Sequence, residues 1–353
     1  MATHSLAILD DYAAIAPKHF HSLANLNVST YPSTLNPKDP AGLDALVQRL
    51  EPYAIVSTMR ERTPFPAALL TRLPNLKLLL TTSVRNASID LACATARGVV
   101  VTGTKGDAPP DASGWVDLPP DPNWGSVNQH AWALLLSLCS RIAQDDASLK
   151  SQPGAWQSGL VIPLAGKTLG VVGLGKLGAQ MARTATLGFG MRVVAWSANL
   201  TQERADEAAE ACGVGKGVWR VEGKEELLRT ADVVSVHYVL SARSRGVIGR
   251  AELGMMKPEG ILVNTSRGPL VDEGALIEAL KEGRIRGAAL DVFDQEPLPP
   301  ESEWRGSGGW KAQVVLSPHM GYANAGTMER WYMEQGEIVG KFLRGEEVPN
   351  RMN

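Results

Sequence analysis

Short apolar runs alternate with helical stretches along the first part of the chain. Strand-like runs lie at residues 5–10, 54–57, 76–82 and 99–102, and a helical or proline-punctuated segment separates each from the next. Such continuous apolar strands are typical of parallel sheets covered by helices on both faces. The pattern therefore predicts a parallel α/β domain.

A second α/β series begins at Thr168. Helical segments separate six further apolar runs, predicted as strands around Leu169, Val193, Val233, Ile261, Ala288 and Val314. Six strands of this kind make one complete dinucleotide-binding domain. The pattern shows no strand after residue 318, and residues 327–343 form an amphipathic helix that we expect to return to the first domain.

One long helix is predicted over residues 126–149 and interpreted as a buried connector between two domains. The predicted fold is α/β with two doubly wound parallel-sheet domains, a Rossmann-type nucleotide domain inserted in a flavodoxin-like substrate domain. Residues 1–127, completed by 320–353, form the substrate-binding domain. Residues 128–319 form the dinucleotide-binding domain.

The glycine-rich turn at residues 173–178 is the most informative motif. It lies between a strand at 167–172 and a helix at 179–187, and a strand at 191–196 completes a β-α-β unit. In such a turn the first glycine permits the tight bend, the second lets a pyrophosphate approach, and the third lets the helix pack closely. The predicted dinucleotide-binding residues are Gly173, Leu174, Gly175, Lys176, Leu177 and Gly178.

Composition narrows the classes of function. The chain has 353 residues, of which 44% are hydrophobic, and a formal net charge of −2. This charge provides no basic field for nucleic acid and no polybasic patch for a membrane, so we expect a small-molecule substrate. Three widely spaced cysteines are typical of free thiols, and we expect no metal. Because residues 1–5 lack a signal-peptide pattern, we expect a cytoplasmic protein.

Three segments that follow predicted strands carry polar side chains suited to chemistry. They contain Arg267, Glu296 and His319, which fall at carboxyl ends of strands and can converge on one cleft. Taken singly, these residues have ordinary interpretations as a helix-capping arginine, a solvated glutamate and a loop histidine. Taken together, an anion-binding guanidinium, an acid–base imidazole and a carboxylate that orients it are what reduction of a 2-oxo acid by a nicotinamide requires.

Four motifs, in this order and spacing, make nearly the whole chain resemble the D-isomer-specific 2-hydroxyacid dehydrogenases. This family includes glyoxylate/hydroxypyruvate reductases, phosphoglycerate dehydrogenases and formate dehydrogenase. The motifs are the glycine turn, residues 256–268, Asp291-Val-Phe with Glu296-Pro297, and Pro318-His319-Met-Gly321.

The resemblance implies a role for each residue of the trio. His319 donates a proton to the substrate carbonyl oxygen and accepts it in the reverse direction, Glu296 orients His319, and Arg267 binds the 2-oxo acid. Asp291 matches the position that accepts from the nicotinamide carboxamide. The implied cofactor-binding set also includes His237, Tyr238, Thr265 and Gly321, the first three through nearby backbone groups that line the nicotinamide ribose.

The chain departs from the family pattern at residues 82–86. The family has a glycine-rich turn there that offers backbone N–H groups to the substrate carboxylate, whereas this chain has Thr82-Ser83-Val84-Arg85-Asn86. Either Arg85 and Asn86 extend the recognition of the substrate anion, or they point into the domain and reshape the loop. Arg60 is a further candidate for contact with the substrate anion. The alternative is that Arg60 is a solvated arginine.

The second departure concerns the cofactor. NAD-selective members place an acidic residue about twenty positions after the glycines, and here Trp196-Ser197-Ala198-Asn199 occupies that strand end. Ser197 and Asn199 can hydrogen-bond either cofactor, so we expect NAD(P)(H) with a slight preference for NADP tolerance. Which 2-hydroxy acid is the substrate stays open.

A proline-rich loop at residues 107–123 is longer than the usual link in the family. It is either a lid or subunit contact, or a tolerated surface insertion. The resemblance also implies a homodimer. The alternative function is a nucleotide-sensing co-repressor-like scaffold on the same fold, and reduction of a panel of 2-oxo acids distinguishes the two.

Overall fold

The structure is a computed structural model that describes residues 4–106, 125–306 and 309–353. The chain divides into two compact units. The five-stranded unit comprises Met1–Val116 and Ala323–Asn353, and the seven-stranded unit comprises Asp117–Tyr322. The loop predicted at 107–123 lies outside the described residues. The functional assignment of the two predicted domains stays a prediction.

A parallel sheet forms the centre of the five-stranded unit. Its strands run in the order β2-β1-β3-β4-β5, which is the flavodoxin-like order. The elements are β1 (His4–Leu9), β2 (Leu26–Tyr31), α1 (Pro40–Leu50), β3 (Ile55–Thr58), α2 (Ala67–Leu70), β4 (Leu78–Thr81), α3 (Leu91–Ala96) and β5 (Val100–Gly103). The sequence pattern did not reveal β2, because this edge strand is only partly buried and includes Asn27, Ser29 and Thr30.

The seven-stranded unit is also a parallel sheet covered on both faces. Its order is β12-β11-β10-β9-β6-β7-β8, so the strand order reverses between β6 and β9. The elements are α4 (Ser126–Cys139), α5 (Ile142–Ser151), β6 (Thr168–Val172), α6 (Lys176–Phe189), β7 (Arg192–Trp196), α7 (Gln202–Ala211), β8 (Trp219–Val221), α8 (Lys224–Thr230), β9 (Val233–Val236), α9 (Arg250–Met255), β10 (Ile261–Asn264), α10 (Glu273–Glu282), β11 (Gly287–Leu290) and β12 (Gln313–Leu316).

The order of strands confirms the predicted doubly wound fold, with one correction to the strand count. Six strands were predicted, and the structure has a seventh, β8, at the edge of the sheet. Trp219 is buried there, but Arg220 is exposed and the strand has three residues. A strand this short leaves too little apolar pattern to be distinguished from a loop.

The predicted helix over 126–149 is wrong as a single element. It ends at Cys139, and α5 begins at Ile142 after Arg141, whose φ of 57° is left-handed. A left-handed non-glycine residue interrupts an α-helix. The expected burial holds for α4, which packs on β11 and β12, but α5 has no buried residue.

The last long helix is α11 (Ala325–Leu343), which belongs to the five-stranded unit. Its N-cap Asn324 accepts a hydrogen bond from the backbone N–H of Thr327 at 2.9 Å. Gln335 is fully buried on this helix and accepts from Ser57 Oγ of β3 at 2.7 Å. The predicted return of this segment to the first domain therefore agrees with its packing on the five-stranded sheet.

Candidate active site

The three glycines of the turn after β6 meet different surroundings. Gly173 has a φ of +102°, and a Cβ on it would lie 2.7 Å from the carbonyl oxygen of His237. A Cβ on Gly178 would lie 2.1 Å from the carbonyl oxygen of Gly173. A Cβ on Gly175 would meet no heavy atom within 4 Å. The fold itself therefore requires Gly173 and Gly178, whereas Gly175 keeps the space before the N-terminus of α6 open.

Two buried polar atoms at the carboxyl ends of β9 and β10 have no hydrogen-bond partner among the described residues. They are Nδ1 of His237, after β9, and Oγ1 of Thr265, after β10. His237 Nε2 lies 2.8 Å from Ser235 Oγ, and burial lowers the pKa of His237 to about 4, so its ring is neutral at pH 7. Unpaired buried polar atoms are costly unless a ligand satisfies them. With the open space at Gly175, they fit a dinucleotide that presents phosphate and ribose hydroxyl groups here.

The side chain of Tyr238 packs at the end of β7, and the predicted role of the backbone near it stays a prediction. The ring of Tyr238 stacks on Trp196 with centroids 5.8 Å apart, and its hydroxyl accepts from the backbone N–H of Ala198 at 3.1 Å. This side chain therefore lies at the end of β7, where a Rossmann domain holds the adenosine ribose. Ser197 is half-buried and Asn199 is exposed at the same strand end.

His319 and Glu296 form a close pair after β12 and β11. His319 Nδ1 lies 2.6 Å from Glu296 Oε2, while Glu296 Oε1 accepts from the backbone N–H of Phe293 at 2.8 Å. The second ring nitrogen of His319, Nε2, has no hydrogen-bond partner among the described residues. With a proton on Nδ1 donated to Glu296, Nε2 is the nitrogen that can exchange a proton with a ligand.

Asp291 fixes the backbone that follows His319. Its Oδ1 accepts from the N–H of Met320 at 2.8 Å, and its Oδ2 accepts from the N–H of Gly321 at 2.9 Å. His130 Nε2 lies 3.1 Å from Asp291 Oδ1. An ionised carboxylate has about four acceptor positions, so one position on Oδ2 remains for a donor such as the predicted carboxamide.

The donors around Asp291 also determine its charge. Burial, the largest influence, raises the pKa of this carboxyl, but the hydrogen bonds outweigh burial and hold the pKa below its usual value of 3.8. His130, Met320 and Gly321 donate to the carboxylate, and the nearby hydroxyl of Ser317 lowers the pKa in the same direction. Asp291 is therefore an anion at neutral pH although it is 1% exposed.

Arg267 lies in the loop after β10. Its Nη1 donates to the carbonyl oxygen of Ser266 at 2.7 Å, and its own carbonyl oxygen accepts from Asn264 Nδ2 at 3.0 Å. A Cβ on the adjacent Gly268 would lie 2.0 Å from the carbonyl carbon of Phe293, so the two loops are in backbone contact. The structure thus brings the loop of Arg267 against the loop that carries Glu296.

The substrate-binding candidates of the five-stranded unit cluster after β3 and β4. Asn86 is 5% exposed, and its side chain makes four hydrogen bonds: Nδ2 donates to Arg60 O and Thr81 Oγ1, and Oδ1 accepts from the N–H and hydroxyl of Ser88. No donor or acceptor position is left for a substrate. Of the two alternatives stated for this residue, the structure favours the one in which Asn86 points into the domain.

The other members of this cluster differ in exposure. Ser83 Oγ donates to the carbonyl oxygen of Arg85 at 2.8 Å, while Val84 and the side chain of Arg85 are exposed. The guanidinium of Arg60 lies 5.9 Å from the ring centroid of Trp331 on α11. Arg60 therefore packs against the unit, and Arg85 is the cation of this loop that faces solvent.

His130 was missed by the sequence analysis, although its contact with Asp291 belongs to the site. The only signal was a polar residue next to the apolar stripe of α4. Trp331 was missed for a similar reason, because it follows helical spacing on α11 and resembles a core residue. Neither position reveals its partner, since each contact spans a large separation in sequence.

The fold and these residues together define a class of protein. A sheet of Rossmann order has a glycine turn where the strand order reverses, unsatisfied polar atoms after β9 and β10, and a histidine–glutamate pair after β11 and β12. This is the arrangement of a nicotinamide-dependent oxidoreductase.

Comparisons with known proteins identify the family within this class. The family model "D-isomer specific 2-hydroxyacid dehydrogenase, NAD binding domain" matches residues 132–321. The chain is 36% identical to a glyoxylate reductase of Thermococcus litoralis over 331 residues. This match covers 90% of this chain and 88% of the relative. The chain therefore belongs to the D-isomer-specific 2-hydroxyacid dehydrogenases and is an NAD-dependent oxidoreductase.

Solved structures agree with this assignment. A phosphoglycerate oxidoreductase from Vibrio cholerae o395 has a TM-score of 0.81 and 30% identity, with 97% of this chain and 100% of that chain covered. A D-lactate dehydrogenase from Aquifex aeolicus, solved in complex with NAD and lactic acid, has a TM-score of 0.69 and 25% identity, with 97% and 96% covered. In the described part of this chain, no helix combines the length and apolar character that crossing a bilayer requires.

Proposed function

We propose that this chain reduces a small 2-oxo acid to its D-2-hydroxy acid, with His319 as the acid–base residue, Glu296 as its partner and Arg267 as the substrate anchor. The observation that carries the proposal is the 2.6 Å contact between His319 Nδ1 and Glu296 Oε2, which leaves Nε2 for proton transfer. The co-repressor-like alternative is not favoured, because the family and the relatives are dehydrogenases.

The proposed mechanism needs a hydride donor and a proton donor. The nicotinamide, when bound, supplies the hydride to the carbonyl carbon. His319 Nε2 gives its proton to the carbonyl oxygen, and Glu296 stabilises the imidazolium before transfer. Arg267 holds the substrate carboxylate and carbonyl oxygen, because its planar fork fixes geometry as well as charge.

The same chain would hold the cofactor along the carboxyl edge of the seven-stranded sheet. Residues 173–178 would bind the pyrophosphate, and His237 Nδ1 and Thr265 Oγ1 would pair with ribose groups. Asp291 would use its remaining Oδ2 position for the carboxamide. Support comes from the unpartnered atoms at His237 and Thr265 and from the open space at Gly175.

The decisive experiment measures reduction of glyoxylate, hydroxypyruvate and pyruvate with NADH and NADPH, following the absorbance of the reduced cofactor. Hydroxypyruvate and pyruvate are included because their products are chiral, so chromatography can show the D isomer. His319→Gln should lower kcat by about 10²- to 10⁴-fold, the usual contribution of a positioned acid–base group, and leave the Kd for NADH unchanged.

His21→Gln is the matched control, because His21 is an exposed histidine of the five-stranded unit. Arg267→Ala should raise KM and lower kcat together. Unchanged kcat in His319→Gln, or absence of reduction with every acid and both cofactors, would contradict the proposal.

We further propose that the enzyme tolerates NADP(H) besides NAD(H). Position 197 is a serine, so no carboxylate stands there to repel a 2′-phosphate. The nearby cation Lys224 lies 5.7 Å from the Trp196 ring and is paired with Glu252 at 2.6 Å. Ser197→Asp should shift the ratio of kcat/KM values strongly toward NADH. Ser197→Asn should not, because asparagine has nearly the size of aspartate but no charge. A wild type that already rejects NADPH a thousandfold would contradict this.

We also propose that the chain forms a homodimer. Apolar side chains are exposed on α5 and in the segment after it, namely Ile142 (59%), Leu149 (54%), Trp156 (76%), Leu160 (88%) and Val161 (64%). Exposed apolar side chains concentrated in this way are typical of interfaces. Light scattering after size exclusion should give twice the chain mass for the wild type and one chain mass for the double variant Trp156→Glu, Leu160→Asp. A monomeric wild type would contradict the proposal.

A further inference from the structure

A side chain from outside the proposed catalytic trio contacts the carboxylate beside it. His130, in the first turns of α4, has its Nε2 3.1 Å from Asp291 Oδ1 and 2.8 Å from Ser317 Oγ. We propose that His130 is a positioning residue, which holds the loop of His319 through Asp291. This inference rests on the proposed role of His319 and adds the residue that supports it from α4.

Asp291 holds the backbone that follows His319. Asp291 accepts the N–H groups of Met320 and Gly321, the two residues directly after His319. His319 itself has a φ of 57°, in the left-handed region that a residue with a side chain rarely adopts. Such a conformation persists only where surrounding contacts determine it. The two bonds to Asp291 are contacts of this kind.

His130 on α4 holds Asp291 in turn. Asp291 is 1% exposed, so water does not replace a lost donor there. His130 supplies one of the three hydrogen bonds described for its carboxylate, and it is the one that comes from outside the loop. A buried carboxylate that loses such a donor must change its geometry or its protonation state. Either change alters how Asp291 holds Met320 and Gly321.

The packing of Gly321 shows that the loop and α4 are in direct contact. A Cβ on Gly321 would lie 3.2 Å from Asp291 Oδ2, 3.6 Å from the Cα of Val127 and 3.7 Å from the Cδ2 of His130. The loop therefore rests on the first turns of α4. Within this contact, His130 is the side chain of α4 that forms a hydrogen bond with Asp291.

The test compares two substitutions at one position. His130→Phe keeps an aromatic ring without a donor, and His130→Gln restores an amide N–H. We expect His130→Phe to lower kcat about tenfold, as the loss of one hydrogen bond to a charged group would. We expect His130→Gln to recover most of the kcat.

A spectroscopic readout on the protein without cofactor or substrate separates positioning from general stability. The chain has six histidines, so ¹⁵N-histidine spectra can be assigned with single histidine variants. His130→Phe should shift the Nδ1 signal of His319, because its geometry to Glu296 changes, and His130→Gln should return the signal toward wild type. Gln129→Ala, at an exposed neighbour on α4, is the control that should leave kcat and spectrum unchanged.

The outcomes distinguish the two proposals. A wild type that reduces no 2-oxo acid overturns the proposed function, while the spectra still test the role of His130. Wild-type kcat and spectrum in His130→Phe overturn the positioning role. A lower Tm and kcat with an unchanged His319 signal and no recovery in His130→Gln also overturn it, because this is the result of a structural role alone.

Discussion

Two buried aspartates occupy the same kind of place in the two units, and their pKa values are shifted in opposite directions. Asp10 follows β1 in the five-stranded unit, and Asp291 follows β11 in the seven-stranded unit, each at the carboxyl end of a parallel strand. Asp10 is 0% exposed and Asp291 is 1% exposed. Burial raises the pKa of Asp10 above 3.8, whereas the pKa of Asp291 is held below it.

The donors explain the difference. Asp10 accepts from two neutral hydroxyl groups, Thr34 Oγ1 at 2.6 Å and Thr63 Oγ1 at 2.7 Å, and these do not offset the cost of burial. Asp291 accepts from two backbone N–H groups and His130, and these donors, with the nearby hydroxyl of Ser317, outweigh burial. Burial alone therefore does not decide the charge of a carboxyl. The seven-stranded unit arranges its donors so that an anion persists next to His319.

Within this comparison, the largest effect is expected from removing the charge at Asp291. In Asp291→Asn, the amide has one oxygen for the two N–H groups of Met320 and Gly321, so one buried donor loses its acceptor. We expect kcat to fall at least about tenfold and the free energy of unfolding to fall by about 1–3 kcal/mol at pH 7, the cost of such an unpaired group. Steady-state kinetics and thermal melts measure both.

The sign of the pH dependence gives this prediction a second check. Because the folded pKa of Asp291 is lowered, the stability it contributes is present above the unfolded value of 3.8 and is lost as pH falls through the folded pKa. The gap in stability between wild type and Asp291→Asn should therefore narrow in acid. A gap that widens below pH 4 would show that Asp291 is not held as an anion.

An intermediate effect is expected at Arg85, a charge left in solvent rather than fixed by partners. If Arg85 contacts the substrate carboxylate, Arg85→Ala should raise KM for small 2-oxo acids by about tenfold or more, since a lost charge-assisted hydrogen bond costs about 1.5–3 kcal/mol. The Kd for NADH should not change. Arg97→Ala, at another exposed arginine of the same unit, is the control. A normal KM with a lower Tm would assign Arg85 to support of its loop.

The smallest effect is expected at Asp10, with the opposite sign from Asp291. Asn fits the left-handed φ of 61° and can pair with both threonine hydroxyls without carrying a charge. Since the folded pKa of Asp10 is raised, its favourable contribution is complete below 3.8 and is lost as pH rises through the folded pKa. Asp10→Asn should therefore equal or exceed wild type in Tm at pH 7, by no more than a few degrees. A marked fall in Tm would show that the two aspartates behave alike.

Most of the fold could be predicted from the sequence, because most of its strands are buried and therefore form continuous apolar runs. Strands β3, β4, β6 and β9–β11 are buried throughout, so their apolar runs stand out between glycine and proline signals. The strands that were missed, β2 and β8, lie at sheet edges, where partial exposure removes that pattern. The break at Arg141 was also missed, since apolar spacing continues through Leu138 and Ile142 although Arg141 between them has a left-handed backbone.

The candidate site was predicted in its parts but not in its supporting contacts. Motif order identified His319, Glu296 and Asp291, because the family pattern marks them. The contact of His130 with Asp291 crosses 161 residues, and no local pattern records such a distance. The internal role of Asn86 was equally invisible, because it depends on Arg60 and Ser88 meeting its amide in three dimensions.

The glycine turn has a consequence for how substitutions are tolerated. Gly175 has φ −87° and ψ −166°, extended backbone that any residue adopts, and nothing in the described protein crowds its Cβ. A library of variants selected only for folding and expression should therefore admit many side chains at Gly175 and few at Gly173 or Gly178. The same library selected for retention on an immobilised nucleotide should keep glycine at all three. In this short turn, Gly173 and Gly178 are required for folding, whereas Gly175 is required only for ligand contact. Two rounds of selection can distinguish these requirements.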